Sequence, residues 1–321
     1  MNRFTNCACI VAALCFALAP NPAQAQSWPA KPVRVIMSYA GGSEPLVRLV
    51  DQKVSEALGQ PVILDVQPGA GGSIGNAMAA RAAPDGYTLL SANATIVVRR
   101  FLVKDVPWDP LTDFTPIRQI FDAIAVISSH PTGPSTVAEI IDTGKRNPGK
   151  LSYGTTGVGS VYHMAGELMQ LQTGAQLLHV PYKGSPQSLT DLVAGRIPLV
   201  LAISTSTEPF VRSGKAKYVA VFHHSRLKTL PDVPTVRESL PGFPLLPIWG
   251  GYFGPAGLPS AIVQRFHDEA SKAMATPDVN AMFEKLGLVQ GDPRPEHLAA
   301  KMKEDIAAVA RFVKAAGIQP E

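Results

Sequence analysis

Cysteine is nearly absent: Cys7, Cys9 and Cys15 are the three in 321 residues, and all precede residue 16. Past that point neither a disulfide framework nor a thiol nucleophile is available. Charge is also sparse, at 17% of residues, with 29 basic against 25 acidic side chains and no basic block interleaved with aromatics. That balance does not call for nucleic acid. Beyond the N-terminal segment no stretch offers the roughly 18 uninterrupted apolar residues that a membrane helix needs. His163, His179, His223 and His224 stand in no H-x-x-x-H or H-E-x-x-H relation, and there is no P-loop. Zinc and phosphoryl chemistry therefore lack their usual marks, and the expectation is a protein with no metal and no cofactor.

What is present begins with an address. Arg3 supplies a positive charge, Ile10 to Ala19 is a short apolar run, and Ala23-Gln24-Ala25 is a small-x-small cleavage site. Residues 1–25 read as a cleavable signal peptide, which makes the mature chain, from Gln26, an exported periplasmic protein. The remaining ~295 residues suffice for two lobes of ordinary domain size.

Two stretches repeat one physical device, an apolar strand running through a Gly/Ser turn into an amphipathic helix. The first is Val33 to Ser38 leading into Gly41-Gly42-Ser43, and the second is Leu151-Ser152-Tyr153 leading into Gly154-Thr155-Thr156-Gly157-Val158-Gly159-Ser160. The glycines permit the turn, and the helix start presents unpaired N–H groups and a positive dipole end to an anion. Two such seats far apart in the chain suggest two lobes facing one carboxylate or phosphate. Gly69 to Gly75 resembles a dinucleotide loop but spells G-x-G-x-x-x-G without a long preceding apolar strand, and reads as tight packing beside the cleft.

Strands and helices alternate throughout. Helical spacing marks Leu46 to Leu58, Thr136 to Arg146, Val161 to Thr173, Ser185 to Ala194, Thr205 to Ser213, Ser260 to Ala275 and a long helix carrying Leu298, Met302, Ile306, Val309 and Val313. Short apolar runs at Pro61 to Val66, Tyr87 to Leu90, Leu177 to Val180, Pro198 to Ile203, Lys217 to Phe222 and Ile248 to Phe253 read as strands. The pattern predicts an α/β protein whose sheets are mostly parallel and flanked by helices, with the site at the strand carboxyl ends.

Nine ordered segments then carry a family likeness: Trp28-Pro29-x-Lys31-Pro32, Gly41-Gly42-Ser43, Gly59-Gln60-Pro61-Val62, Gln67-Pro68-Gly69-Ala70-Gly71-Gly72, Ala83 to Leu90, Pro107-Trp108-Asp109-Pro110, Asp113-Phe114-Thr115-Pro116, Val180-Pro181-Tyr182-Lys183-Gly184-Ser185 and Leu230 to Thr235. Together they resemble the Bug-type, or tripartite tricarboxylate transporter, periplasmic substrate-binding proteins over essentially the whole mature chain. The resemblance implies a two-lobed type II periplasmic-binding-protein fold, a Venus flytrap, that grips a carboxylate through backbone and hydroxyl donors of both lobes. By position, Gly42 and Ser43 come from the first lobe and Thr155, Thr156 and Ser160 from the second.

The expected ligand set adds Gly159, Tyr39, Tyr162, His163 on the helix after the second turn, and Ser91 and Asn93 at the end of the third strand. Arg99 and Arg100 replace a pair that is usually Asn-Pro in the resembled family, and one of them is expected to take a second carboxylate bidentately. The apolar Pro198 to Ala202 strand, where relatives often carry acids, speaks against an amino-acid ligand. Domain one is expected over 26–124 plus 250–321, and domain two over 125–249. The reading is a monomeric receptor, not an enzyme, that delivers a di-, tri- or aromatic carboxylate to membrane transporter subunits. The alternatives are a ligand-presenting module for a sensor kinase and an exported enzyme acting on small acids.

Overall fold

The structure is a computed structural model describing residues 28–227, 229–244, 246–316 and 320. The expected signal segment, its cysteines and the cleavage site lie outside the described residues. The strands are β1 (Val33–Met37), β2 (Val62–Val66), β3 (Thr88–Asn93), β4 (Phe114–Asp122), β5 (Ala125–Ser129), β6 (Ser152–Thr155), β7 (Leu178–Pro181), β8 (Leu199–Ile203), β9 (Lys217–Val221), β10 (Trp249–Pro255) and β11 (Val289–Gln290). The helices are α1 (Glu44–Leu58), α2 (Ser73–Ala80), α3 (Thr95–Val98), α4 (Val137–Arg146), α5 (Val161–Thr173), α6 (Ser185–Val193), α7 (Ser204–Arg212), α8 (Val236–Ser239), α9 (Ser260–Met274), α10 (Pro277–Leu286) and α11 (Pro295–Ala316).

One sheet runs β11-β4-β10-β3-β1-β2 and the other β7-β6-β8-β5-β9. Both are mixed, which corrects the expectation of mostly parallel sheets. In the first, β2, β1 and β3 pair in parallel, but β10 lies antiparallel between β3 and β4, and β11 is antiparallel to β4. In the second, β7, β6 and β8 pair in parallel, while β5 lies antiparallel between β8 and β9. The reason is the route of the chain. β4 runs through Ala123 and Ile124 straight into β5, and β10 carries the chain back. A strand arriving from the other lobe enters its sheet from the cleft side, where the parallel strands end, and so must run against them.

Local chemistry explains the first lobe's elements. α1 has Pro45 in its opening turn and Glu44 beside the positive dipole end, and it stops at Gly59, whose φ of 67° suits glycine. Its buried Leu46, Val47, Val50 and Val54 pack with Val33, Val35 and Met37 of β1 and with Phe266 and Met274 of α9. Ile36, pointing to the opposite face by strand alternation, joins a second cluster instead. That second cluster is continuous between the sheets. It takes Leu90 from β3, Ile127 and Leu201 from β5 and β8, Tyr153 from β6, and Met302 and Val309 from α11. Each such side chain contributes about 1.5–3 kcal/mol when fully withdrawn from water.

The sequence reading missed β4 and β5 as strands, although their pairing carries the chain between lobes. Pro116, Arg118 and Gln119 interrupt the apolar pattern of β4, yet Arg118 and Gln119 are 4% and 1% exposed. Arg118 is buried by donating through Nε to the Met274 sulfur at 3.0 Å and through its guanidinium to Ser271.

Candidate functional site

A cleft of about 620 Å³, open solvent at its mouth included, lies where strands of both sheets end. The first sheet supplies Ser38 to Gly41 after β1, and Asn93 to Thr95 from β3 into α3. The second supplies Thr156 after β6, Lys183 and Ser185 after β7, and Ile203 from β8. Gly71 and Gly72 form one wall, and Phe121 with Pro247 to Trp249 another. Three helices of at least two turns open on this space: α1 at Ser43, α5 at Val161 and Tyr162, and α6 at Ser185. Their free N–H groups and dipole ends converge on one volume from both sheets, the condition for holding an anion without a formal cation.

Among the lining residues Lys183 is the one charged side chain. No carboxylate lies within ion-pair distance of it among the described residues, and none lines the cleft. Tyr39 and Tyr162 line the space and their hydroxyls are neutral; burial pushes the Tyr39 pKa up to about 12 and raises that of Tyr162 as well. The Tyr39 hydroxyl sits near those of Ser43 and Ser91, but neither it nor Ser91 Oγ makes a hydrogen bond of good geometry. Ser43 starts α1 without spending its hydroxyl on the helix. Trp249 is buried and donates its indole N–H to Asp305 at 2.7 Å, so it serves the core and the cleft wall together.

Of the expected ligand residues, the structure brings Tyr39, Ser43, Asn93, Thr156 and Tyr162 to the cleft. The others are placed elsewhere. Thr155 lies beneath the second turn, its Oγ1 accepting from the Gly157 amide at 3.1 Å and meeting His179 Nε2 at 2.7 Å. The Gly159 amide donates to His163 Nδ1 at 3.2 Å, and Ser160 Oγ accepts from the His163 amide at 3.2 Å. The turn thus spends these groups on its own shape. His163 is 4% exposed and stacks on His179 with ring centroids 4.1 Å apart. Gly42 sits at a seam, its amide donating to Ser206 Oγ at 2.9 Å at the start of α7. Ser91 is fully buried within β3.

The two arginines are corrected most sharply. Arg100 pairs with Asp109 at 2.9 Å on an exposed surface outside the cleft. Arg99 is buried and donates to the Val158 carbonyl at 2.5 Å behind the Gly71 wall. Locally, the chain continues from α3 into a tight 3₁₀ turn over Arg99 to Phe101, which carries both residues past the strand end.

The sequence reading missed Lys183 and Ser185, though both stood in the Val180 to Ser185 segment. The signal was available: that segment is a third copy of the strand, Gly/Ser turn and helix start. The sequence reading also held that no G-x-S-x-G elbow is present, whereas Gly71-Gly72-Ser73-Ile74-Gly75 has that literal spacing. Ser73 follows a 3₁₀ turn, not a strand end, and no histidine lines the cleft beside it.

Comparison with known proteins agrees with this architecture. The family model described as "Tripartite tricarboxylate transporter family receptor" matches residues 46–318. A UPF0065 protein of a Pseudomonas species is 32% identical over 92% of this chain and 90% of its own length. A solved Rhodopseudomonas palustris protein with adipate is 29% identical, with a TM-score of 0.84 over 92% of this chain and all of its own. MatC from the same organism, with bound malate, is 28% identical, with a TM-score of 0.84 over 89% of this chain and all of its own.

Proposed function

The chain belongs to the tripartite tricarboxylate transporter receptor family, whose members are periplasmic solute-binding proteins, and from that premise we propose that it captures a small dicarboxylate and hands it to membrane transporter subunits. Lys183 carries the reading. It is exposed and is the sole charged residue of a lining otherwise made of neutral donors and apolar walls. One carboxylate is seated by the converging helix starts at Ser43, Val161 and Ser185, and the second by the Lys183 ammonium. The absence of an acidic lining residue disfavours an ammonium-bearing amino acid, whose charge would be left unpaired. Two R. palustris relatives with adipate and malate, both dicarboxylates, point the same way.

Capture follows from topology. The lobes, which we assign to 26–124 plus 250–321 and 125–249, are joined by the Ala123–Ile124 crossing and the return before β10. A ligand touching both lobes favours the arrangement in which they meet. Calorimetry with succinate, malate, adipate and butyrate tests the reading. The diacids are expected to bind more tightly than butyrate. Lys183→Met is expected to cost the diacids about 1–2 kcal/mol, between an open surface pair and a buried charge-assisted bond, and the monoacid little. Equal losses for diacid and monoacid would remove Lys183 as the second seat.

A further inference from the structure

Arg99 is a buried cation that the cleft does not use. It is 7% exposed, and its Nη1 donates to the Val158 carbonyl at 2.5 Å, while its Nε is buried without an acceptor. No carboxylate pairs with it among the described residues. The bond joins the two lobes: Arg99 follows β3 and α3, and Val158 lies in the turn between β6 and α5. Glycine backbone closes around the guanidinium from both sides. A Cβ on Gly71 would stand 2.7 Å from Nη1 and 2.5 Å from the Val158 oxygen, and one on Gly159 would stand 2.7 Å from Nη1. Both glycines have positive φ, +58° and +75°, which a side chain would strain. Burial draws the Arg99 pKa below its ordinary value, but a guanidinium stays protonated in proteins. A desolvated cation with one neutral acceptor is costly to keep.

We propose that Arg99 is a positioning residue for ligand capture, a latch that ties the Gly157–Ser160 turn of one lobe to the Gly71 turn of the other whenever the lobes meet, with or without an anion between them. The proposal rests on the receptor reading above. Because the bond exists only when the lobes meet, it acts on escape of the ligand and not on its first encounter with the cleft.

Stopped-flow release of malate and of adipate, followed by tryptophan emission, to which Trp249 in the cleft wall contributes beside Trp28 and Trp108, tests this on the parent, Arg99→Met and Arg99→Lys. Dissociation from Arg99→Met is expected to be about tenfold faster, with association changed by no more than about twofold. Arg99→Lys keeps the charge and one donor and is expected to fall between. The loss is the same for both probes, because the latch touches neither. A packing role alone would lower the unfolding temperature and leave release from the folded variants at the parent's rate; that result overturns the latch, as does a loss confined to association. Should Arg99→Met fail to fold, Arg99→Lys carries the comparison. A parent that binds neither probe counts against the dicarboxylate reading, and small-angle scattering of the ligand-free proteins then reads the latch directly. Arg99→Met is expected to have the larger radius of gyration, and an equal radius overturns the proposal.

Discussion

Buried Asp51 and half-buried His179 have titrations that pull stability in opposite directions. Asp51, 2% exposed on α1, accepts from the Tyr252 hydroxyl at 2.5 Å and has no partner at its other oxygen. Burial pushes its pKa from 3.8 to about 7, against weaker downward pulls from the Tyr252 hydrogen bond and the Arg48 charge. Its stabilising contribution is complete below the unfolded pKa and lost as pH rises through the folded one, from about 4 to about 7. His179 behaves conversely. Burial, and then the neighbouring His163, draw its pKa from 6.5 to about 3, so its contribution is complete above the unfolded pKa and lost as pH falls towards 3. Between about pH 4 and 6.5 the two slopes oppose, each at most about 1.4 kcal/mol per pH unit. Urea unfolding at several pH values is therefore expected to show Asp51→Asn gaining stability as pH rises through this window, and His179→Gln losing it. Variants that share the parent's pH dependence would show that neither group is shifted.

Helix starts are where the chemistry of this protein sits. The turn before α1 meets the start of α7 across the seam, and Gly42 is required there by space: a Cβ would stand 2.6 Å from Thr205 Oγ1, 2.8 Å from the Ser206 amide and 2.9 Å from the Thr205 carbonyl carbon. Backbone cannot swing aside as a side-chain tip can. Gly42→Ala therefore forces the lobes apart, and the roughly 1–3 kcal/mol cost of overpacking falls on the arrangement in which they meet. Calorimetry is expected to show diacid affinity reduced about tenfold or more, with each lobe still folded by circular dichroism. Unchanged affinity would mean that the seam relaxes locally. By contrast, α1 is bounded by Pro45 in its first turn and Gly59 at its end, because capping chemistry is local.

The lobes share one continuous apolar cluster through α3, α5 and α11, so ligand binding and global stability are coupled. A ligand held at about a thousand times its dissociation constant stabilises the bound state by about 4 kcal/mol. For lobes of this size that corresponds to a rise in melting temperature of roughly 8–16 °C. Thermal unfolding with millimolar malate, adipate and succinate is expected to show it for at least one diacid and not for butyrate. No shift with any of them would place the cargo outside the dicarboxylates.

The sequence by itself determined the α/β class, most helices, the strand-to-helix turns and the family, because these rest on periodicity, glycine and proline positions and short ordered motifs. It also located part of the cleft: Tyr39, Ser43, Asn93, Thr156 and Tyr162 stand at strand ends or helix starts, where local geometry already aims them at one side of a sheet. Only the tertiary structure decided the rest. Whether Thr155, Ser160 and His163 spend their polar groups on a ligand or on one another depends on how the second turn folds over His179. Whether Arg99 faces the cleft or the seam depends on the 3₁₀ turn that follows α3 and on the approach of Val158 from a segment 59 positions later. The antiparallel direction of β5 and β10 was hidden for the same reason. Their direction is set by the chain crossing between lobes, a contact between distant segments that leaves no periodic mark on either.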